Sequence, residues 1–100
     1  MKLITAIVRT TTLDTIVKSL EDAGIKEITI SEIKGIGEQV QICRPYTIHN
    51  KIEIFIPDER VEEAVGMILN NASIGMAGDG ILAVTPVEQM YKIRTREKIK

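Results

Sequence analysis

Residues 51–72 read KIEIFIPDERVEEAVGMILNNA, and their hydrophobic period changes at Pro57. Before the proline, isoleucine occupies every second position from Ile52 to Ile56, and this alternation predicts a strand. After it, apolar residues recur at helical spacing, which predicts a helix with Asp58 as its N-cap. The buried stripe predicted for this helix consists of Val61, Ala64, Val65, Ile68 and Ala72. A strand followed by an amphipathic helix is the larger part of a βαβ unit.

The same order of elements occurs earlier in the chain. Residues 3–9 are rich in apolar and β-branched residues, so they predict a strand. Thr12 can cap the following helix, whose apolar residues recur at helical spacing as far as Ala23. Gly24 provides the C-terminal stop of this helix, and residues 26–34 alternate again as a second strand. The chain therefore begins with a complete βαβ unit.

The remaining segments complete a second unit. Residues 38–50 show neither period and predict a surface loop. The glycine-rich residues 73–80 connect the second helix to a strand at 81–85, and residues 91–95 predict a short final strand within the charged segment 91–100. Two βαβ units joined by a loop are typical of the α+β ferredoxin-like βαββαβ plait, in which four strands carry two helices on one face.

Composition limits the class of function. The 100 residues include 13 Lys and Arg against 14 Asp and Glu, which argues against binding nucleic acid by phosphate neutralisation. Apolar runs are too short for a membrane span or a signal peptide, so we expect a cytoplasmic protein. We expect a single domain over residues 1–100, and its small size favours oligomerisation.

Candidate catalytic residues are few. Cys43 and His49 are the only cysteine and the only histidine, so a nucleophile–base pair would have to lie within one loop. No CxxC or HxxxH spacing supplies further metal ligands. We therefore predict no catalytic residue, no metal site and no enzymatic activity. Gly78-Asp79-Gly80 is more informative, because backbone N–H groups between glycines can approach an anion without obstruction by side chains.

Several segments resemble, in order along the chain, the PII family of signal-transduction proteins. They are residues 1–9 (MKLITAIVR), 30–39 (ISEIKGIGEQ), 51–54 (KIEI), 57–59 (PDE), 78–80 (GDG), 86–88 (PVE) and 92–95 (KIRT). The resemblance implies a non-enzymatic protein of nitrogen regulation that carries no covalent cofactor. It also implies a homotrimer of ferredoxin-like subunits with an adenine nucleotide in each cleft between subunits.

The resemblance further implies a set of nucleotide-binding residues. One subunit would form a wall of the nucleotide site, place the ring of Phe55 against the base and offer backbone groups to the phosphates. Its residues would be Ile7, Gly35, Ile36, Gly37, Gln39, Phe55, Gly78, Asp79 and Gly80. The neighbouring subunit would contribute Glu27, Ile28, Thr29, Glu53, Lys92 and Arg94. Residues 73–80 would be the B-loop, and residues 38–50 the T-loop through which the family signals, with Glu38, Tyr46 and His49 as loop or effector positions.

Three positions depart from the family pattern. Ile81 stands where the family usually has a lysine, Glu38 where an arginine is common, and His49 where a lysine contacts phosphates and 2-oxoglutarate. Each change removes or weakens a positive charge, so ADP, AMP or a cyclic nucleotide is favoured over ATP with Mg²⁺ and 2-oxoglutarate, with ATP left open. The T-loop is also shorter than in nitrogen-sensing members and lacks their modified-tyrosine motif around Tyr46. Its partner, a membrane transporter or a metabolic enzyme, is left open.

Other functions remain open at this point. A short-loop member of the PII family could sense bicarbonate together with a nucleotide in carbon metabolism. Trimeric metal-tolerance proteins of the CutA kind share the fold, although the sequence has no cluster of Cys and His. An amino-acid-binding regulatory module is a third alternative, and such modules are normally fused to another domain.

Overall fold

The computed structural model describes residues 1–35, 47–76 and 78–100, which contain four strands and two α-helices. The elements are β1 (Lys2–Val8), α1 (Thr10–Asp22), β2 (Ile28–Gly35), β3 (Thr47–Ile56), a 3₁₀ turn (Asp58–Arg60), α2 (Val61–Ala72) and β4 (Gly80–Pro86). This is the order of the ferredoxin-like plait, so the predicted α+β class is confirmed.

The strands form one antiparallel sheet in the order β2-β3-β1-β4. The two central strands are β1 and β3, and Ile54 of β3 lies opposite Ile4 of β1 and Ile28 of β2. Because side chains of a strand alternate between its two faces, the even-numbered residues of β1 and β3 share one face. The buried residues of that face include Ile4, Ala6, Val8, Ile52, Ile54 and Ile56.

Both helices pack against this buried face. Their buried residues are Ile16 and Leu20 of α1 and Ala64, Ile68 and Ala72 of α2. Val61 and Val65 are partly buried against the same core, so the stripe predicted for the second helix is confirmed. No helix among the described residues is long and apolar enough to cross a membrane.

Both predicted helix caps are wrong. α1 begins at Thr10, so Thr12 lies inside its first turn, where its hydroxyl donates to the carbonyl oxygen of Arg9 at 3.2 Å. Asp58 lies in the 3₁₀ turn before α2, and its carboxylate accepts a hydrogen bond from the amino group of Met1 at 2.6 Å. That bond holds the pKa of Asp58 below its ordinary value. The residues that precede the two α-helices, Arg9 and Arg60, make no side-chain capping hydrogen bond.

β3 begins earlier than the predicted loop allows. Thr47 lies opposite Gly35, and the pairing with β2 continues to Asn50, which lies opposite Glu32. Residues 47–50 are therefore strand residues. Their sequence lacks the alternation that predicts a strand, but the neighbouring strand β2 supplies their pairing partners. The rest of the predicted loop, residues 38–46, lies outside the described residues.

The predicted strand at residues 91–95 is also wrong. Tyr91 and Lys98 form an isolated bridge, and the N–H of Lys92 donates to the carbonyl oxygen of Glu97 at 2.8 Å. The segment pairs with itself and does not join the sheet, so β4 remains an edge strand of the described sheet.

Candidate functional site

Residues 73–80, which we call the glycine loop, follow α2 and lead into β4. The loop is folded around the carboxylate of Asp79. Its oxygens accept hydrogen bonds from the backbone N–H groups of Ile74 (2.9 Å), Gly75 (2.9 Å) and Met76 (3.3 Å) and from Nε of Arg9 (3.3 Å). The side chains of Arg9 and Asp79 are only 15% and 17% exposed. This carboxylate therefore ties the loop to the end of β1.

Burial and hydrogen bonding act in opposite directions on the pKa of Asp79. Removal from water raises the pKa. The hydrogen bonds from three backbone N–H groups and from Arg9 stabilise the charged form and prevail, so the pKa lies below its ordinary value of 3.8. Asp79 is therefore an ionised carboxylate at neutral pH.

Several backbone donors of the glycine loop are occupied by groups of the loop itself. The N–H of Asp79 donates to the carbonyl oxygen of Met76 at 3.2 Å. The N–H groups of residues 74–76 bond to the Asp79 carboxylate. A phosphate that used these donors would have to replace a negatively charged group of the protein itself.

Gly80 has to be a glycine in this structure. Its φ is 115°, a conformation that side-chain-bearing residues rarely adopt. A Cβ atom here would overlap the carbonyl oxygen of Ile7 and lie 2.9 Å from the carbonyl carbon of the same residue. The close approach follows from pairing, because Gly80 lies opposite Val8 where β4 begins. The second glycine of Gly78-Asp79-Gly80 thus lets the loop enter the sheet.

His49 and Asn50 add polar contacts at the same end of the sheet. His49 is buried on β3, with 1% of its surface exposed, and its Nε2 lies 3.4 Å from the carbonyl oxygen of Gly78. Asn50 is buried as well, and its Nδ2 donates to the hydroxyl of Thr10 at 3.0 Å. The sequence placed His49 in an irregular loop as an effector position, whereas the structure makes it a strand residue facing the glycine loop.

A cleft of about 170 Å³ opens beside the glycine loop, between β1, β4 and the end of α2. Apolar side chains form most of its wall, among them Ile7, Leu69 and Ile81, with Asp79 as its charged residue. An apolar wall next to polar loop atoms suits a flat ring with an anionic tail.

A second depression of about 310 Å³ lies at the other end of the sheet, and Glu27 and Phe55 line it together. The resemblance placed Phe55 with Ile7 and placed Glu27 on the neighbouring subunit. In the structure Phe55 lies opposite Leu3, four residues along β1 from Ile7, which is about 13 Å at the rise of a strand. Phe55 is therefore grouped with Glu27 at the end away from the glycine loop.

The other predicted site residues are distributed over both ends and both edges. Thr29 lies opposite Glu53, which in turn lies opposite Thr5. Lys92 and Arg94 are exposed in the C-terminal segment beyond the far end of β4. The predicted positions Ile36, Gly37, Glu38, Gln39 and Tyr46 lie outside the described residues.

Arg9 and the pair formed by Thr10 and Asn50 were not recognised from the sequence. Arg9 follows a strand and carries a charge, but only the folded chain brings it to Asp79, 70 residues away. Asn50 likewise meets Thr10 across 40 residues. The available signal was a polar residue at each strand end nearest the glycine loop, which is too common to be specific.

Fold and loop together define an α+β protein of the ferredoxin-like class whose glycine loop is anchored on its first strand. A family model described as Nitrogen regulatory protein P-II matches residues 1–97. A nitrogen regulatory protein P-II of Azospirillum brasilense is 38% identical over 107 aligned residues, which cover 98% of this chain and 96% of the relative. Those of Nostoc punctiforme and Microchaete diplosiphon are each 39% identical with the same coverage.

The chain therefore belongs to the PII family, as its motifs indicated, and its members are signal transducers in nitrogen regulation and not enzymes. The alignment with the Azospirillum relative is 107 residues long but includes 98% of this 100-residue chain. The relative thus has additional residues within the matched region.

Proposed function

We propose that this protein forms a homotrimer and binds an adenine nucleotide, ADP or AMP, in the clefts between subunits. The bound nucleotide changes the conformation of residues 38–50, which signal to a partner protein in the cytoplasm. The partner is a membrane transporter or a metabolic enzyme, as the family resemblance implies.

The observation that carries the proposal is the separation of the glycine loop from the cations suited to phosphates. β4 is seven residues long, so its far end lies roughly 20 Å from the glycine loop at the rise of a strand. Lys92 and Arg94 come after that far end, and every residue from 91 to 100 is exposed. The segment does not pack back on its own sheet, so a second copy is needed to bring these cations to the loop.

The two sheet edges support the same arrangement. The glycine loop precedes β4, which is one edge strand, whereas Ile28 and Thr29 lie on β2, which is the other. Two central strands separate these edges, a span of about 14 Å at the spacing of neighbouring strands. A small ligand that touches both groups would therefore lie between two copies. Ile93, which is 94% exposed, provides apolar surface for such a contact.

The charges at the loop favour a ligand with few phosphates. Ile81, half-exposed at the start of β4, adds no charge where the family usually has a lysine. His49 is buried against Gly78 and presents no cation at the surface. Asp79 adds a negative charge at the loop. These features support ADP or AMP over a triphosphate with Mg²⁺ and 2-oxoglutarate.

Light scattering and titration calorimetry test the proposal. The mass in solution should be about three times 11.1 kDa. ADP, AMP, cyclic AMP, bicarbonate, and ATP with Mg²⁺ and 2-oxoglutarate should then be titrated separately, with the tightest binding expected for ADP or AMP. A monomer that binds none of the adenylates would refute the proposal.

A matched pair of variants tests the role of the C-terminal cations. Arg94→Ala should weaken ADP binding about 10- to 100-fold, because a hydrogen bond to a charged group contributes about 1.5–3 kcal/mol. Lys18→Ala removes the same charge from the exposed surface of α1, where Lys18 lies 3.6 Å from Asp22, and should leave the affinity unchanged. An equal loss in both variants would show a general charge effect and contradict the assigned cleft.

Hydrogen exchange tests the signalling step separately. Addition of ADP should change the protection of residues 38–50, and Arg94→Ala should reduce that change at subsaturating ADP. Equal protection with and without saturating ADP would remove these residues from the proposed mechanism while leaving nucleotide binding intact.

A further inference from the structure

His49 is an exception on its face of β3. The odd-numbered residues of this strand point away from the helices, since side chains alternate along a strand. Lys51 and Glu53 are each 35% exposed and Phe55 is 51% exposed, whereas His49 is only 1% exposed. The partner of its ring is Gly78, which is itself buried and whose carbonyl oxygen lies 3.4 Å from Nε2. A polar ring has thus been removed from water on a face that is otherwise partly open.

The partners of the ring identify its tautomer. A carbonyl oxygen can only accept a hydrogen bond, so Nε2 carries the proton. Nδ1 is buried and has no hydrogen-bond partner in the part of the chain that the structure describes, so a proton there would have no acceptor among those residues. The arrangement therefore presents an Nε2–H donor to the glycine loop.

Two contacts attach the glycine loop to β1 and the residue after it: the bond of Asp79 to Arg9 and the close approach of Gly80 to Ile7. His49 adds an attachment to a different strand. β3 is the strand that follows residues 38–46, and His49 lies two residues after its first residue. A change in the position of Gly78 would therefore act directly on the start of β3.

We propose that His49 is a positioning residue that couples the glycine loop to the start of β3 through the carbonyl group of Gly78. Its ring orients the loop through the contact of Nε2 with the carbonyl oxygen of Gly78. The ligand-dependent part rests on the proposed function, since the coupling would connect a nucleotide at the glycine loop to residues 38–50. The contact itself is a property of the free protein and can be tested without any ligand.

Nuclear magnetic resonance of the free protein is the first test. His49 is the only histidine, so its ring nitrogens give a single set of long-range ¹H–¹⁵N correlations in uniformly labelled protein at about pH 7. We expect a proton on Nε2 and none on Nδ1. A ring protonated on Nδ1, on both nitrogens, or in rapid exchange between tautomers would overturn the proposal.

Two substitutions separate the hydrogen bond from the volume of the side chain. His49→Gln keeps an N–H donor at a similar reach, whereas His49→Met fills similar space without one. Hydrogen exchange at residues 74–76 should become faster in His49→Met and stay near the wild-type rate in His49→Gln. Ile16→Val removes a methylene group from a buried side chain of α1 and so controls for lower overall stability. It should leave the protection of the glycine loop, relative to the rest of the protein, unchanged. Equal exchange in His49→Met and His49→Gln would overturn the proposal.

ADP affinity then tests the ligand-dependent part. His49→Met should weaken ADP binding by about 3- to 10-fold, the effect of one ordinary hydrogen bond, and His49→Gln should restore most of it. Full affinity in His49→Met would overturn the coupling. If wild-type protein binds no adenylate while the exchange and tautomer results hold, the proposed function fails and the contact between His49 and the loop stands.

Discussion

Replacement of Gly80 by alanine should destabilise this protein far more than the same replacement at another glycine of positive φ. The added Cβ atom would overlap the carbonyl oxygen of Ile7, which belongs to the backbone of a central strand. Neither side can move alone, because Gly80 lies opposite Val8 in the β1–β4 ladder. The strain would therefore fall on the pairing of two strands and on the glycine loop that precedes them.

Alanine substitutions at three glycines separate the loss of stability at Gly80 into its conformational and steric parts. Gly24 has a φ of 86° and no atom within 4 Å of an added Cβ, so Gly24→Ala measures the conformational cost alone, about 1–2 kcal/mol. Gly80→Ala adds the overlap and the loss of neighbouring ladder hydrogen bonds, each about 1 kcal/mol, which brings the expected total to about 3–5 kcal/mol. Gly66 lies in α2 with open space around it, and Gly66→Ala should stabilise the helix by about 0.5–1 kcal/mol.

Urea denaturation followed by circular dichroism measures these differences. All variants should be compared at one protein concentration, because association stabilises the folded state in a concentration-dependent way. A loss of 3 kcal/mol corresponds to a decrease of at least about 12 °C in Tm for a domain of this size. If Gly80→Ala and Gly24→Ala lose equal stability, the close approach to Ile7 does not exist in solution.

Two further predictions concern charged groups. The folded-state pKa of Asp79 lies below its ordinary value of 3.8, so its contribution to the free energy of unfolding is present above that pH and is lost as the pH falls through the folded pKa. In urea denaturation, Asp79→Asn should therefore be less stable than wild type at about pH 6 and should lose less stability than wild type between about pH 6 and pH 3. Identical pH profiles of the two proteins would contradict this. Arg60→Ala should lower the stability by about 1.5–3 kcal/mol in thermal unfolding, because Arg60 donates to the carbonyl oxygen of Ala23 near the end of α1 at 2.7 Å. Glu63→Ala removes only the exposed ion-pair partner of Arg60 and should lower the stability by less than about 1 kcal/mol. Equal losses in the two variants would assign the effect to the ion pair.

Hydrophobic periodicity correctly predicted the elements that carry the core. The stripe of α2, from Val61 to Ala72, and the alternation of Ile52, Ile54 and Ile56 match the observed burial. Gly24 ends α1 with a left-handed conformation, as expected of a glycine there. These features depend on residues close together in sequence, so their patterns are visible before folding.

The candidate site was predictable only in part. The motif Gly78-Asp79-Gly80 drew attention to the loop before β4, but its sequence does not show that the carboxylate of Asp79 accepts hydrogen bonds from the backbone N–H groups of residues 74–76. The irregular pattern around His49 predicted a loop, and the pairing of β3 with β2 makes it a buried strand residue. In both cases the deciding contact is supplied by another part of the chain.

Composition, periodicity and turn residues were sufficient for the order of the four sheet strands and two helices, the ferredoxin-like class and, through shared motifs, the family, but they wrongly added a strand at residues 91–95. They could not specify the contact of Arg9 with Asp79, the environment of His49 or the grouping of Phe55 with Glu27. The physical reason is range: secondary structure and burial patterns arise from neighbours a few residues apart. The polar contacts of the glycine loop join residues 29 and 70 positions apart and exist only once the sheet has assembled.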